Sequence, residues 1–308
     1  MTTYKKLRVI YIAGYGRSGS TILDIALGQH PAIFGAGEIK ALTRHVWERN
    51  EYCACGKPIQ DCSLWSAIVQ QWLNGQEPSL IEYYSSLQRK FESNAGPIRL
   101  LSGKAGRRLF CDYAHHTMRL FDAIASVSGN TTIIDSSKIP WRAFALSRIK
   151  GIDLYVIHLV RDGRAVAWSL LQRYSRDVPA GLQKDIQPKS TVRTALRWGF
   201  VNVATELLCR RFEPDRFLRM CYEDFTADPE VAFQRVGRSL GIDLGHTGAA
   251  LKHGEPVRPG HQMAGNRVRM TPELDLEEDN SWQTQMPARK QEAFGWLCGW
   301  LLRRYGYS

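Results

Sequence analysis

The chain has 308 residues, 44% apolar and 23% charged, the balance of an ordinary soluble globular protein and length enough for one large domain or two small ones. Its formal net charge of +11 points to an anionic partner, but the basic residues are dispersed, which argues against a nucleic-acid-binding tail. No apolar run reaches the length of a membrane span, and the seven cysteines are an odd number, a poor basis for a disulfide framework.

The first predicted element is a strand over Leu7–Ala13, β-branched and aromatic, ending at Gly14. The start before it is basic. Arg8 nevertheless breaks the apolar run, and signal cleavage would destroy the glycine loop, so the chain is expected to be cytoplasmic. Gly14-Tyr-Gly16-Arg17-Ser18-Gly19-Ser20-Thr21 fits the phosphate-loop pattern G-x-x-x-x-G-K-[ST], except that Ser20 replaces the lysine and Arg17 lies inside the loop. A helix is expected from Ser20 to Gly28, with Ile22, Leu23, Ala26 and Leu27 at helical spacing. A loop in this position turns backbone N–H groups and a helix N-terminus onto one anion, and the hydroxyls of Ser18, Ser20 and Thr21 add donors. Without the lysine, a nucleoside triphosphate with its metal fits poorly.

Residues from about 44 to 128 carry helical patterns without a clear strand and are expected to form a helical cap or insertion. Within them, Cys53-Ala-Cys55-Gly and Cys62 place three thiols within ten positions. Three readings stay open: a zinc site with His45 or another group as fourth ligand, a disulfide, or reduced packing thiols. Further strands are predicted at Thr131–Asp135, Leu154–Val160 and Phe217–Cys221, and helices at 165–173, 191–211 and 229–240. This alternation predicts an α/β, three-layer fold with a central, mainly parallel sheet. Arg161 stands at a strand's carboxyl end and Ser169 eight positions later, near two turns into the next helix, a second place for a phosphate. Asp162 suits a helix N-cap, and equally an acidic metal ligand of a kinase. Residues 244–282 are rich in Gly, Pro, His and Arg, a length without periodicity that is either functional or mobile.

The loop Gly14–Thr21, the Arg161/Ser169 pair and Tyr222-Glu-Asp224 follow one another as in sulfotransferases that use 3′-phosphoadenosine 5′-phosphosulfate (PAPS), and the resemblance runs from about residue 8 to 240. It implies a P-loop-like fold, here one sulfotransferase domain over 1–308. It further implies transfer of a sulfonate from PAPS to a hydroxyl acceptor, with 3′-phosphoadenosine 5′-phosphate (PAP) as product and no catalytic metal. Gly16, Arg17, Ser18, Gly19, Ser20 and Thr21 would hold the 5′-phosphosulfate, Arg161 and Ser169 the 3′-phosphate, and Tyr222 would approach the nucleotide. Arg267 and Arg269 stand where cytosolic members close a basic loop over the 3′-phosphate, although the cytosolic motif itself is absent. Cytosolic members also use a lysine in the first loop and a histidine base. Here His30-Pro31 leads to Gly37-Glu38, 21 positions after Arg17, a pattern that resembles tyrosylprotein sulfotransferases. It implies Glu38 as base, with Arg17 and Lys138 neutralising the departing phosphate. Lys138 closes an Asp-Ser-Ser-Lys segment similar to that of bacterial sulfotransferases with a Cys-x-Cys-Gly stretch.

The acceptor is left open among a carbohydrate, a lipid-linked or secondary-metabolite hydroxyl and a peptide tyrosine, met by the cap and by loops near Glu38, Lys138 and Arg176. A small-molecule or glycan partner is expected, and no nucleic acid. The rival readings are a P-loop kinase and a non-catalytic nucleotide-binding module. His115, His116 and His261 are the substitutes should Glu38 not be the base.

Overall fold

The computed structural model describes residues 7–100, 103–178, 182, 185–277 and 279–308. Strand β1 (Leu7–Ala13) is the centre of the sheet, and its side chains divide by parity. Val9, Tyr11 and Ala13 enter one apolar cluster, while Ile10 and Ile12 enter another on the opposite face. A strand buried on both faces needs an apolar residue at nearly every position, which is why this segment reads as a continuous run. Around it lie β2 (Ile33–Gly35), β3 (Thr132–Lys138), β4 (Ile152–Val160) and β5 (Phe217–Cys221), in the order β2-β3-β1-β4-β5. Every pairing is parallel.

Helix α1 (Ser20–Leu27) lies on the Ile10/Ile12 face. The other face is covered by α2 (Ser63–Leu73), α3 (Ser79–Phe91), α5 (Gly103–Ser128) and α6 (Pro140–Ser147), with α4 (Gly96–Leu100) packed against α3, α5 and α6. Helices α7 (Gly163–Leu171) and α8 (Thr191–Cys209) follow β4. After β5 come α9 (Tyr222–Ala227), α10 (Pro229–Leu240) and α11 (Gly245–Lys252), which join α1. Finally, α12 (Ser281–Gln285) and α13 (Ala288–Arg304) pack with α7 and α8 in a third cluster around Trp198 and Phe294. Among the described residues, no helix is long and apolar enough to cross a membrane.

The architecture is the α/β, mainly parallel three-layer one that the alternation implies. Strands β1 and β5 occupy the expected residues, whereas β3 runs on to Lys138. The three-residue β2 was not expected; it is an edge strand too short for a periodic signal. Nor were α11 and α13 expected, the former lying in the stretch read as non-periodic. The strand order turns at β1, with β3 on one side and β4 on the other. Such a switch opens a crevice at the carboxyl edge of the sheet.

Candidate active site

Most of the polar groups of the site sit at or just beyond strand ends at this edge. After β1, the chain crosses to α1 through Gly19, whose φ of 86° makes it a left-handed N-cap. A Cβ at Gly19 would lie 2.2 Å from the Tyr222 ring, so only glycine lets the loop rest there. Arg17 is itself left-handed, with φ 72°, a conformation that costs a non-glycine residue of order 1 kcal/mol or more. It aims the side chain across the crevice, where Nε donates to Ser169 Oγ at 2.9 Å and the guanidinium stands 6.0 Å from the Tyr174 ring centre. Burial above all lowers the Arg17 pKa, helped by the charges of Arg161 and Arg267 and opposed by Tyr174. Ser18 is buried, and its Oγ has no hydrogen-bond partner among the described residues. Ser20 and Thr21 form the first turn of α1, and Thr21 Oγ1 accepts from the Asn266 amide at 3.1 Å.

Arg161 follows β4 with its guanidinium 4.8 Å from the Tyr222 ring centre, and it donates to the carbonyls of Arg17 (3.3 Å) and Asp279 (3.0 Å). Asp162 is the N-cap of α7. Its Oδ1 accepts from the Arg164 amide at 2.8 Å, and its carboxylate pairs with the Arg164 guanidinium at 2.7 Å. The acidic position that would suit a kinase metal ligand is therefore committed to the helix. Sequence reasoning placed Glu223 within its motif but gave it no role; it braces this turn. Its Oε1 accepts from the Asp162 amide at 2.9 Å and its Oε2 from the Tyr307 hydroxyl at 2.6 Å. Burial raises the Glu223 pKa.

Glu38 and Lys138, one hundred positions apart, meet after β2 and β3: Lys138 Nζ lies 2.5 Å from Glu38 Oε1 and 3.1 Å from the Ser136 carbonyl. Lys138 is also left-handed, φ 69°. The Glu38 amide donates to the Met263 carbonyl at 3.0 Å. At Gly37, φ 80°, a Cβ would meet that same oxygen at 2.2 Å, so the close approach requires glycine. Beneath this turn lies Asp24, fully buried on α1, whose Oδ2 accepts from the Gly37 amide at 3.1 Å. Burial pushes its pKa up to about 7, against hydrogen bonds from Ser136 and Gly37 that favour the charged form. Sequence reasoning overlooked Asp24, although a carboxylate among Leu23, Ile25 and Ala26 is a visible break in an apolar helix face.

These elements enclose a cleft of about 620 Å³, its solvent-filled mouth included, lined by Gly16, Arg17, Gly19, Ser20, Thr21, Glu38, Lys138, Arg161, Ser169 and Tyr222. Two of the arginines expected at the donor site do not line this cleft. Arg267 lies 4.7 Å from the Tyr174 ring centre, outside the lining. Arg269 is buried, its Nη1 and Nη2 donating to the carbonyls of Asn266 and Tyr52. Instead, Gly265 and Asn266 supply backbone to the wall. His115 and His116 are on α5 and line neither cavity, and His261 faces Cys53 and Cys62. A second, larger cavity of about 1070 Å³ adjoins the cleft, and Glu38 lines both.

A parallel sheet with its switch at β1, a glycine loop without the lysine and a cluster of cations at the carboxyl edge define a P-loop-like group-transfer protein. The model of the Sulfotransferase family matches residues 9–246, and the chain belongs to that family. It is an enzyme that moves a sulfonate from PAPS to an acceptor. Among solved structures, a sulfotransferase domain from the curacin biosynthetic pathway is 15% identical with a TM-score of 0.52, covering 97% of this chain and 97% of its own. A sulfotransferase domain of the Synechococcus PCC 7002 olefin synthase is 17% identical with a TM-score of 0.49, covering 100% and 98%. The first of these likenesses shows the fold. No curated protein sequence matches the chain.

Proposed function

We propose that the cleft between β1 and β4 holds PAPS and that the larger cavity on the other side of Glu38 holds the acceptor. The observation that carries this reading is the Glu38–Lys138 pair standing where the two spaces meet. The residues present fit the donor. Among the described lining residues Arg17, Arg161 and Lys138 are cationic and Glu38 alone is acidic, an excess of positive charge suited to a phosphosulfate and a 3′-phosphate. The buried Ser18 Oγ, without a hydrogen-bond partner among the described residues, is a donor in want of an acceptor.

Bound PAPS supplies the sulfonate on a phosphate leaving group. Ser169 and Arg161 bind the 3′-phosphate, and the turn from Gly16 to Thr21 binds the 5′-end. Tyr222 packs beneath Arg161. Arg17 and Lys138 place positive charge where the departing phosphate gains negative charge. Glu38 takes the acceptor's proton at Oε2, the carboxylate oxygen that Lys138 does not hold. Lys138 thereby fixes the base and serves the leaving group from one atom. No metal ion is needed for the transfer, because a sulfonate carries less charge than a triphosphate and three cations already face it.

Helices α2–α5 act as the acceptor-side cap of a single domain. The second cavity is lined by Lys40, Thr43, Arg44, Gln88 and Arg89 together with Ala41 and Ile139, and apolar atoms make up most of its accessible surface. This suits a hydroxylated acceptor with both polar and apolar parts. The seven cysteines are unpaired, which suits work in the cytoplasm. The test is thermal shift with PAP, 5′-AMP and ATP–Mg²⁺, followed by an acceptor screen with radiolabelled PAPS. PAP is expected to raise Tm most, and a hydroxyl acceptor to be labelled without added Mg²⁺. Equal stabilisation by 5′-AMP would remove the 3′-phosphate site.

A further inference from the structure

Cys53, Cys55, Cys62 and His261 come from two segments some 200 positions apart, and their ligand atoms all lie within 4.8 Å of one another. His261 Nδ1 is 3.7 Å from Cys53 Sγ and 3.3 Å from Cys62 Sγ. A tetrahedral zinc ion, with Zn–S of about 2.3 Å and Zn–N of about 2.0–2.1 Å, requires S···N edges of roughly 3.5–3.6 Å. The group therefore has the dimensions of a first coordination shell. The fourth partner is His261, supplied by the chain's distant basic segment; His45 lines the acceptor cavity instead.

The backbone is arranged to present these atoms. The Cys53 amide donates to the Lys57 carbonyl at 2.8 Å and the Gly56 amide to the Cys53 carbonyl at 3.0 Å, folding Cys53-Ala-Cys55-Gly56 into a tight turn. Cys62 is the N-cap of the eleven-residue α2, where the positive end of the helix dipole favours a metal-bound thiolate. Trp65 Nε1 holds the His261 carbonyl at 2.6 Å, and the Ala54 amide holds that of Gln262 at 3.1 Å. Cys53 and Cys62 are buried and Cys55 is exposed, so the group has one open side for loading. Thiols kept only for packing have no reason to gather an exposed cysteine and an imidazole nitrogen around one point.

We propose that Cys53, Cys55, Cys62 and His261 form a Cys₃His zinc site, closed and structural. Four protein ligands fill a tetrahedral shell and leave no position for substrate. What the ion holds is the strap from His261 to Asn266. Downstream of His261, the Met263 amide donates to the Ala36 carbonyl at 3.2 Å, its carbonyl accepts from Glu38, and Asn266 caps Thr21. Zinc thus fastens the outer wall of the active site without touching the transfer chemistry, and the site stands whether or not the acceptor assignment does.

The test is the metal content of the full chain, purified without chelator from zinc-supplemented cells. One zinc per chain is expected, near zero in Cys62→Ser and His261→Ala, and one again in His261→Cys, which restores a ligand. Cys111→Ser, remote from the cluster, keeps its zinc. Exchange for Co²⁺ in the wild-type chain should give the visible spectrum of tetrahedral thiolate coordination, which decides the matter even where a variant fails to fold. The proposal is overturned by a wild-type chain without zinc, by zinc that survives Cys62→Ser, by octahedral cobalt, or by a reductant-sensitive mass loss of two hydrogens marking a Cys53–Cys62 disulfide.

Discussion

In the cleft proposed for the donor, the side chains follow strand ends: Arg17 after β1, Arg161 after β4 and Tyr222 at the close of β5. In the cavity proposed for the acceptor, the lining comes from a π-helical turn at Leu42–Trp47, from α3, and from Ser137 and Ile139 at the end of β3. The first set is fixed by the sheet, whose parallel register places successive carboxyl ends at one edge. The second is fixed by how helices α2–α6 dock on one face, through contacts that include the buried Arg142 between Asp135 and Glu92. A sheet edge is a rigid frame for an invariable donor; a docked cap can be relined for a different acceptor without disturbing it.

The sharpest way to break this division is at the joint. Glu38→Gln keeps the shape of the side chain but cannot take a proton. A fall in kcat of ~10²–10⁴ is expected with PAP affinity nearly intact, measured by steady-state kinetics and calorimetry. A phenolic acceptor of low pKa should recover part of the loss. Turnover near the wild-type rate on an unactivated hydroxyl would remove Glu38 as the base.

Next in size is a change confined to the donor side. Arg161→Ala removes a buried guanidinium from the wall of the cleft and should weaken PAP binding by about 2–4 kcal/mol, while the KM of the acceptor is unchanged. Ser169→Ala should cost less, since Arg17 remains at the site. An unaltered PAP dissociation constant in Arg161→Ala would reduce the second motif to a structural turn.

The same division explains what the sequence discloses. The glycine loop, Arg161 and Tyr222 are legible because each is a strand followed by a short polar signal, and one parallel sheet brings such signals together. The Glu38–Lys138 contact has no local signature: a hundred residues of cap lie between its partners, and only the resemblance pairs them. Asp24 and Glu223 act through backbone amides, which composition does not record. Arg269 is the opposite case. Its neighbourhood is basic and glycine-rich, as a phosphate loop would be, yet its guanidinium is spent on the Tyr52 and Asn266 carbonyls inside the strap.

A substitution confined to the acceptor side should be quieter. Arg89 lines the second cavity, where its Nη1 donates to Ser85 Oγ at 3.2 Å. Arg89→Ala should raise the acceptor KM by about tenfold, the loss of one exposed charge-assisted contact, with PAP binding and the kcat at saturating acceptor left alone. A matching loss of PAP affinity would mean that the two cavities are not separable.

The smallest effect concerns the carboxyl beneath the joint. Asp24 has a folded-state pKa raised to about 7 from an ordinary 3.8. A raised carboxyl means that the folded chain keeps a proton which the unfolded chain has released. Its contribution to stability is therefore complete below about pH 4 and is lost as pH rises through 7. Full ionisation of a rigidly held, buried carboxylate would cost several kcal/mol, but relaxation and water reduce such penalties. Asp24→Asn retains an oxygen for the Gly37 amide and cannot ionise. It should stabilise the protein at pH 8 by about 1 kcal/mol, or roughly 2 °C in Tm, with the advantage shrinking toward pH 5. Thermal melts of both proteins across that interval measure it. A Tm difference that does not change between pH 5 and pH 8 would show that Asp24 is ionised throughout, held by Gly37, Ser136 and Lys138 strongly enough to outweigh its burial.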